Sequence, residues 1–143
     1  MAAARYSRGN QGKPEDPLKI TRFVPAPDGG SRFVDLEVAI DNAQTDAFGH
    51  TSHRSRVIPA QSTVLGQLPA GLEQDWHPAS RRQILAILSG TVEIEVSDGQ
   101  KRRLGPGDMF LADDCGSRGH KTRTIGGPAT ILFVHLPADL ALG

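Results

Sequence analysis

TVEIEVSDGQKRRL, residues 91–104, alternates apolar Val92, Ile94 and Val96 with charged Glu93 and Glu95 before reaching Asp98-Gly99. Alternation at period two marks a strand with one buried and one wet face, and Asp-Gly readily takes the positive φ angles of a tight hairpin turn. The stretch reads as a half-buried strand, a turn and an antiparallel partner, with Lys101 to Arg103 set opposite Glu93 and Glu95 for cross-strand ion pairing. Just upstream, QILAILSG (83–90) is apolar on both faces: Leu85 and Ile87 share the face of Gln83, while Ile84, Ala86 and Leu88 make the other. That second face needs a cover, either N-terminal strands or a second copy of the chain, and a homodimer is expected.

The same grammar runs through most of the chain. LKITRFV, SRFVDLEVAI, SRVIP, STVLGQL, DMFLA, HKTRTI and ATILFVHL are short runs rich in Val, Ile, Leu and Thr, separated by Gly, Pro and Asp. Many short strands with turn signals between them indicate an all-β sandwich or barrel, with little helix. With 143 residues the chain has room for one domain. Residues 1–17, small, polar and punctuated by Gly and Pro, read as a flexible arm, and 18–143 as the β domain. Sixteen basic against sixteen acidic residues leave no net field to draw the protein onto nucleic acid or an anionic membrane. A small-molecule ligand is the expected partner. One cysteine, Cys115, excludes an internal disulfide, and no apolar run suits a signal segment or a membrane span. A cytoplasmic location is the simplest expectation.

Two stretches carry a resemblance. WHPASRRQILAILSGTVEIEVSDG followed by RRLGPGDMFLADDCGSRGHKTR resembles the two motifs of the cupin superfamily, small jelly-roll β-barrels. In the first motif, G-x5-H-x-H-x3,4-E-x6-G, His77 stands at the first His, Ala79 at the second, Gln83 at the Glu and Gly90 at the closing Gly. The second motif, a PGD turn, a strand and a histidine, gives Pro106, Gly107, Asp108 and His120, with DDCGSRG about two residues longer than the usual loop. The resemblance spans residues 60–137. It implies a single-domain jelly roll whose mouth holds His77, Gln83 and His120, with the pocket between two sheets. It does not single out an activity, because cupins include dioxygenases, isomerases, epimerases, decarboxylases, sugar binders and storage proteins.

A cupin site usually binds one divalent transition metal, Fe, Mn, Ni, Cu or Zn, through imidazoles and a carboxylate. Here His77 and His120 would supply two nitrogens and Gln83 a neutral amide oxygen. Losing the Glu charge and the second imidazole predicts weak affinity for Fe, Mn, Ni or Zn. A third ligand would come from His50, His53, His135, Asp113, Asp114, water or the substrate, and no spacing separates these. Equally, His77 and His120 can hydrogen-bond within a polar barrel mouth without any metal. His50 and His53, in a polar loop, read as solvent-exposed, and His135, alternating with Ile131 and Phe133, as a packed structural histidine.

Arg81 shares the parity of Gln83 and would point inward if the strand already runs there, offering its fork to a substrate carboxylate or to Asp75, Asp113 or Asp114. Trp76 would pack at the rim, as core filler or as a wall for ligand stacking. Cys115 beside Asp113 and Asp114 should have a raised thiol pKa and so is a poor nucleophile. GPGD precedes a strand rather than a helix, so it is a turn and not a phosphate loop. Two functions follow: a barrel binding a small polar or carboxylated molecule with a weakly held metal supporting isomerase, lyase or oxygenase chemistry, or a metal-free binding or sensory barrel.

Overall fold

A computed structural model describes residues 16–142, and the arm expected over 1–17 lies outside these apart from Asp16 and Pro17. Thirteen strands and no helix occur among the described residues. In chain order they are β1 (Leu18–Pro25), β2 (Ser31–Phe33), β3 (Leu36–Val38), β4 (Asn42–Thr45), β5 (Thr51–Arg54), β6 (Ser62–Leu68), β7 (Glu73–His77), β8 (Gln83–Ser89), β9 (Val92–Glu95), β10 (Lys101–Leu104), β11 (Met109–Ala112), β12 (His120–Thr124) and β13 (Ala129–His135). Seven strands make one sheet in the order β2-β1-β11-β8-β13-β6, with β3 also on β1; β10-β9-β12-β7 make a second; β4 and β5 form a separate hairpin. All pairings are antiparallel except β1 with β11. Among the described residues no helix is long and apolar enough to cross a membrane.

The two sheets close over one core. From the larger sheet Phe23, Leu85, Ile87, Phe110, Ala112 and Ile131 point inward, and from the smaller Val92, Ile94, Val96 and Leu104 meet them. Burying each of the large members fully is worth about 1.5–3 kcal/mol, which is why the alternation in β9 sets its facing. The strand–turn–strand expected over 91–104 is present, with Gly99 at φ 91° in the turn and β10 in register with β9.

The other face of β8 is covered only at one end. Ile84 packs with Ile20, Leu36, Leu111 and Leu136, and Ile58, Leu140 and Leu142 close over them. Both the N-terminal strands and the chain's tail therefore serve as cover there. At the far end Leu88 remains 52% exposed.

Three details differ from the sequence expectation. SRVIP (55–59) is not a strand: Val57 is exposed and Ile58 alone packs inward. The β4–β5 hairpin and β7 carry no apolar face, so alternation could not reveal them. The hairpin is built instead on its turn, where Asp46 Oδ1 accepts from the Phe48 and His50 N–H groups.

On the outer face of the smaller sheet, charges alternate across strands. Glu93 accepts from Arg103 on one side and Arg123 on the other, at 3.0 and 2.7 Å, and Lys101 approaches Glu95 at 3.9 Å. The expected cross-strand pairing holds, except that Arg102 turns to Phe33 and Asp35. The Arg123 hydrogen bond, reinforced by Arg103 and opposed by burial, holds the Glu93 carboxyl below its usual range. A carboxylate depressed in the folded state stabilises fully above the ordinary carboxylate pKa, and that contribution fades as pH falls through the lowered value. Glu93→Gln should therefore be less stable than the wild type at neutral pH, with the gap narrowing on acidification. Urea melts at several pH values measure this, and a gap independent of pH would contradict it.

Candidate functional site

The two motif histidines meet. His77 ends β7, His120 begins β12, and the two are direct cross-strand partners. Their ring centroids lie 4.6 Å apart with planes at 51°. The ladder shifts register just after this pair. Gly119 explains how the strands come so close: at φ 89° its backbone lies where a Cβ would sit 2.0 Å from the His77 carbonyl carbon and oxygen. Only glycine tolerates both the conformation and the approach.

Each imidazole is tied at Nδ1. His77 Nδ1 lies 2.6 Å from the Asp75 carbonyl oxygen, which can only accept, so this nitrogen carries the proton. His120 Nδ1 lies 2.7 Å from Asp114 Oδ2 and donates to that carboxylate. In the neutral rings both Nε2 atoms are then acceptors. Asp114 is 0% exposed, and its Oδ1 accepts from the Ala79 N–H at 2.9 Å. The loop of the second motif wraps this carboxylate. Ser117 donates back to the Asp114 carbonyl, the Gly119 N–H donates to Ser117 Oγ at 2.9 Å, and Ser31 Oγ donates to the Gly119 carbonyl at 2.6 Å.

The facing sheet presents a matched row. Phe23 pairs with Ala112, Ala112 with Gln83, and Gln83 with His135. Paired residues share a face, so Gln83 and His135 stand on the inner side with Phe23 and Ala112. Phe23 reaches the His120 ring at 4.5 Å between centroids. The mouth of the barrel is thus lined by His77 and His120 on one sheet and by Phe23, Gln83 and His135 on the other. His135 Nδ1 shares a hydrogen bond with Ser62 Oγ at 2.7 Å, as a structural histidine would.

Two expected residues stand elsewhere. Arg81 is exposed and lies before β8, which begins at Gln83, so strand alternation does not extend back to it. The ion pair foreseen for Arg81 is made by Arg82, which faces outward and reaches Asp113 Oδ1 at 2.8 Å, beside Arg22 on Oδ2 at 2.8 Å. Trp76, next to inward-facing His77, takes the outer face, 41% exposed, under the Lys121 ammonium 5.0 Å from its ring centre. Between the sheets, packed side chains fill the space below the mouth. A groove of about 420 Å³ lies instead among Glu73, Asp75, Glu95, Lys101, Lys121 and Arg123, and one of about 310 Å³ beside Ile58 and the tail at Leu140–Leu142.

Could the mouth hold a metal? Imidazoles that donate Nδ1–H to a carboxylate or carbonyl and keep Nε2 free are the form in which histidine ligates metals. Two such nitrogens are present. Among the described residues no group of three or more His, Cys, Asp and Glu forms around them, Asp114 is engaged by His120 and Ala79, and Ala79 itself is a core methyl. The donor set suits a weakly held ion, with Gln83, water or an organic ligand as the remaining donors.

Sequence reasoning missed the pairing of Asp114 with His120. Asp114 lies within a loop whose irregular turns carry no periodic signal, and the extra length of that loop was the one sign that it encloses something. Cys115, in the same loop, is exposed, and burial followed by the Asp114 and Asp113 charges raises its thiol pKa, as expected.

Two sheets closed over one core, with the PGD turn between β10 and β11 and the paired histidines at one end, make a small all-β barrel. No family model and no curated protein matches the chain. Among solved structures it is similar to a cupin protein from Bacteroides fragilis, at 26% identity over 57% of this chain and 69% of that one, TM-score 0.43. A cupin-2 domain protein from Shewanella frigidimarina is 21% identical over 52% of this chain and 69% of that one, TM-score 0.42. Ethanolamine utilization protein Q from Salmonella typhimurium is 14% identical over 86% of this chain and 98% of that one, TM-score 0.44.

Proposed function

We propose that the barrel mouth binds a small polar molecule through His77 and His120, with a divalent Fe, Mn, Ni or Zn ion held weakly by the same two nitrogens. One observation carries this reading: the two imidazoles are cross-strand partners, each tied at Nδ1 and free at Nε2. A bound metal would act as a Lewis acid toward the organic ligand, as isomerase or lyase steps need, and a redox-active ion such as Fe would be needed for an oxygenase step.

The chain's own residues have definite parts. His77 and His120 accept a hydrogen bond or a proton at Nε2, Asp114 keeps the His120 ring oriented, and Gln83 offers an amide from the facing sheet. Phe23 and the core beneath it exclude water from one side. The expectation of a carboxylated ligand rested on Arg81. In its place, the protonated forms of His77 and His120 would receive an anion, whereas the neutral forms suit hydroxyl or amino donors.

A metal-free binding barrel is the second reading, favoured by the engagement of Asp114 with His120 and Ala79. Elemental analysis of untagged protein reloaded in turn with Fe(II), Mn(II), Ni(II) and Zn(II) separates the two. Near one ion per chain, lost in His77→Ala and His120→Ala, is the expected result. Metal far below one per chain in every case leaves the metal-free barrel.

A further inference from the structure

An imidazole tied at one nitrogen presents the other to whatever binds beside it. Besides the cross-strand pair, one more histidine fits that description. His135 alternates along β13 with Ile131 and Phe133, which pack in and against the core, so its ring stands on the inner face. On the neighbouring β6, Ser62, Val64 and Gly66 share this face, for a Cβ at Gly66 would lie 2.8 Å from the Phe133 ring. Ser62 Oγ lies 2.7 Å from His135 Nδ1. Val64 is 49% exposed, so the mouth is open to solutes on the β6 side.

The Ser62 bond satisfies only one of the two ring nitrogens. Among the described residues the one buried side-chain nitrogen or oxygen without a partner is His53 Nε2, so the unpartnered Nε2 atoms of His77, His120 and His135 are all reached by solvent. With the Ser62 hydroxyl accepting from Nδ1–H, His135 Nε2 carries a lone pair like the other two. The three do not converge on one ion. Among the described residues no three His, Cys, Asp or Glu are grouped to hold a metal, so His135 meets a different atom of a ligand from the one at His77 and His120. Gln83, Ser62 and Phe23 around them carry no charge, and Asp114 is engaged by His120 and Ala79.

We propose that His135 is a ligand-binding residue of the mouth and that the ligand is an uncharged polyhydroxylated molecule, one hydroxyl of which donates to His135 Nε2 while another meets His77 and His120 or the ion they hold. The inference rests on the reading of the mouth as a binding site and adds the ligand's class. Hydroxyl groups donate to ring nitrogens and accept from the Gln83 amide, so every polar group named here finds a partner. A carboxylate has no proton to donate, and it would set its lone pairs against those of neutral rings. Because the two stations are separate, a molecule with a single hydroxyl satisfies only one of them.

Nitrogen-15 NMR of the histidine side chains tests this in the full chain at mildly alkaline pH with EDTA present, using sorbitol, 1-propanol and succinate as probes. His135 should be protonated at Nδ1 before any probe is added. Sorbitol should then move His77, His120 and His135 with one shared midpoint, while His50 in the exposed hairpin stays still. 1-Propanol should need roughly ten-fold more, and succinate should leave His135 unmoved. His135→Phe should raise the sorbitol midpoint read at His77 and His120 about ten-fold, through the loss of one hydrogen bond. Ser62→Ala should leave His135 a mixture of tautomers and weaken sorbitol binding. Sorbitol that moves His77 and His120 but not His135, or a midpoint unchanged in His135→Phe, would overturn the inference and leave the binding reading standing. No movement at any of the three would overturn both, whatever the metal content that elemental analysis reads separately. A His135 protonated at Nε2, or one moved by succinate and not by sorbitol, would overturn the proposed ligand class.

Discussion

Gly119→Ala is expected to destabilise the protein by about 3 kcal/mol or more and to lower its Tm by roughly 10 °C. Two costs combine at this residue. A left-handed conformation costs an alanine about 1–2 kcal/mol. The added Cβ would also lie 2.0 Å from the His77 carbonyl carbon and oxygen and 2.3 Å from the Pro78 nitrogen, all backbone atoms that cannot swing aside. Relief requires β7 and β12 to separate at the His77–His120 pair, so metal or ligand binding should fail together with stability. Gly116→Ala is the control: its φ is 79°, but nothing lies within 4 Å of the added carbon. It should lose only the conformational share, about 1–2 kcal/mol. Thermal melts of the two variants test the difference. Equal losses would mean that the close approach to His77 contributes nothing.

Asp114→Ala should cost about 3 kcal/mol, because it strands two buried donors, the Ala79 N–H and His120 Nδ1–H, at about 1–3 kcal/mol each. Asp114→Asn separates orientation from folding. Its amide oxygen can still accept from Ala79, while its NH2 group faces His120 Nδ1 in place of a carboxylate oxygen. The imidazole then turns Nδ1 into the acceptor and carries its proton on Nε2, the atom that should face a ligand. Stability should fall by only about 1 kcal/mol, whereas metal or ligand binding should be lost. Nitrogen-15 NMR of the histidine side chains reads the tautomer directly. A wild-type His120 protonated at Nε2, or a variant with an unchanged tautomer and intact binding, would show that Asp114 does not orient the ring.

Much of the barrel was legible because strand burial repeats every second residue. β9 announces an inner face by alternation, β8, β11 and β13 read as short apolar runs, and the Asp98-Gly99 turn joins β9 to β10. The hairpin of β4 and β5 and the strand β7 were not legible, since their stability comes from turn geometry and neighbouring strands rather than from an apolar stripe. Motif spacing singled out His77 and His120, and the two are cross-strand partners with rings 4.6 Å apart. Arg81, expected inward if the strand reached it, and Trp76, expected at the rim, could not be oriented from sequence, for parity needs to know where a strand begins and which face a rim residue takes.

The sequence by itself determined the all-β class, the facing of β9 and the candidate histidines, because alternation, turn chemistry and motif spacing are local properties. Only the tertiary structure decided what those histidines touch. Asp114 reaches His120 through a loop of irregular turns, Gly119 brings β12 against the His77 carbonyl, and Arg82 rather than Arg81 meets Asp113. Each of these contacts depends on distances between segments far apart in the chain or on turns without period, and neither leaves a repeat for a sequence to display.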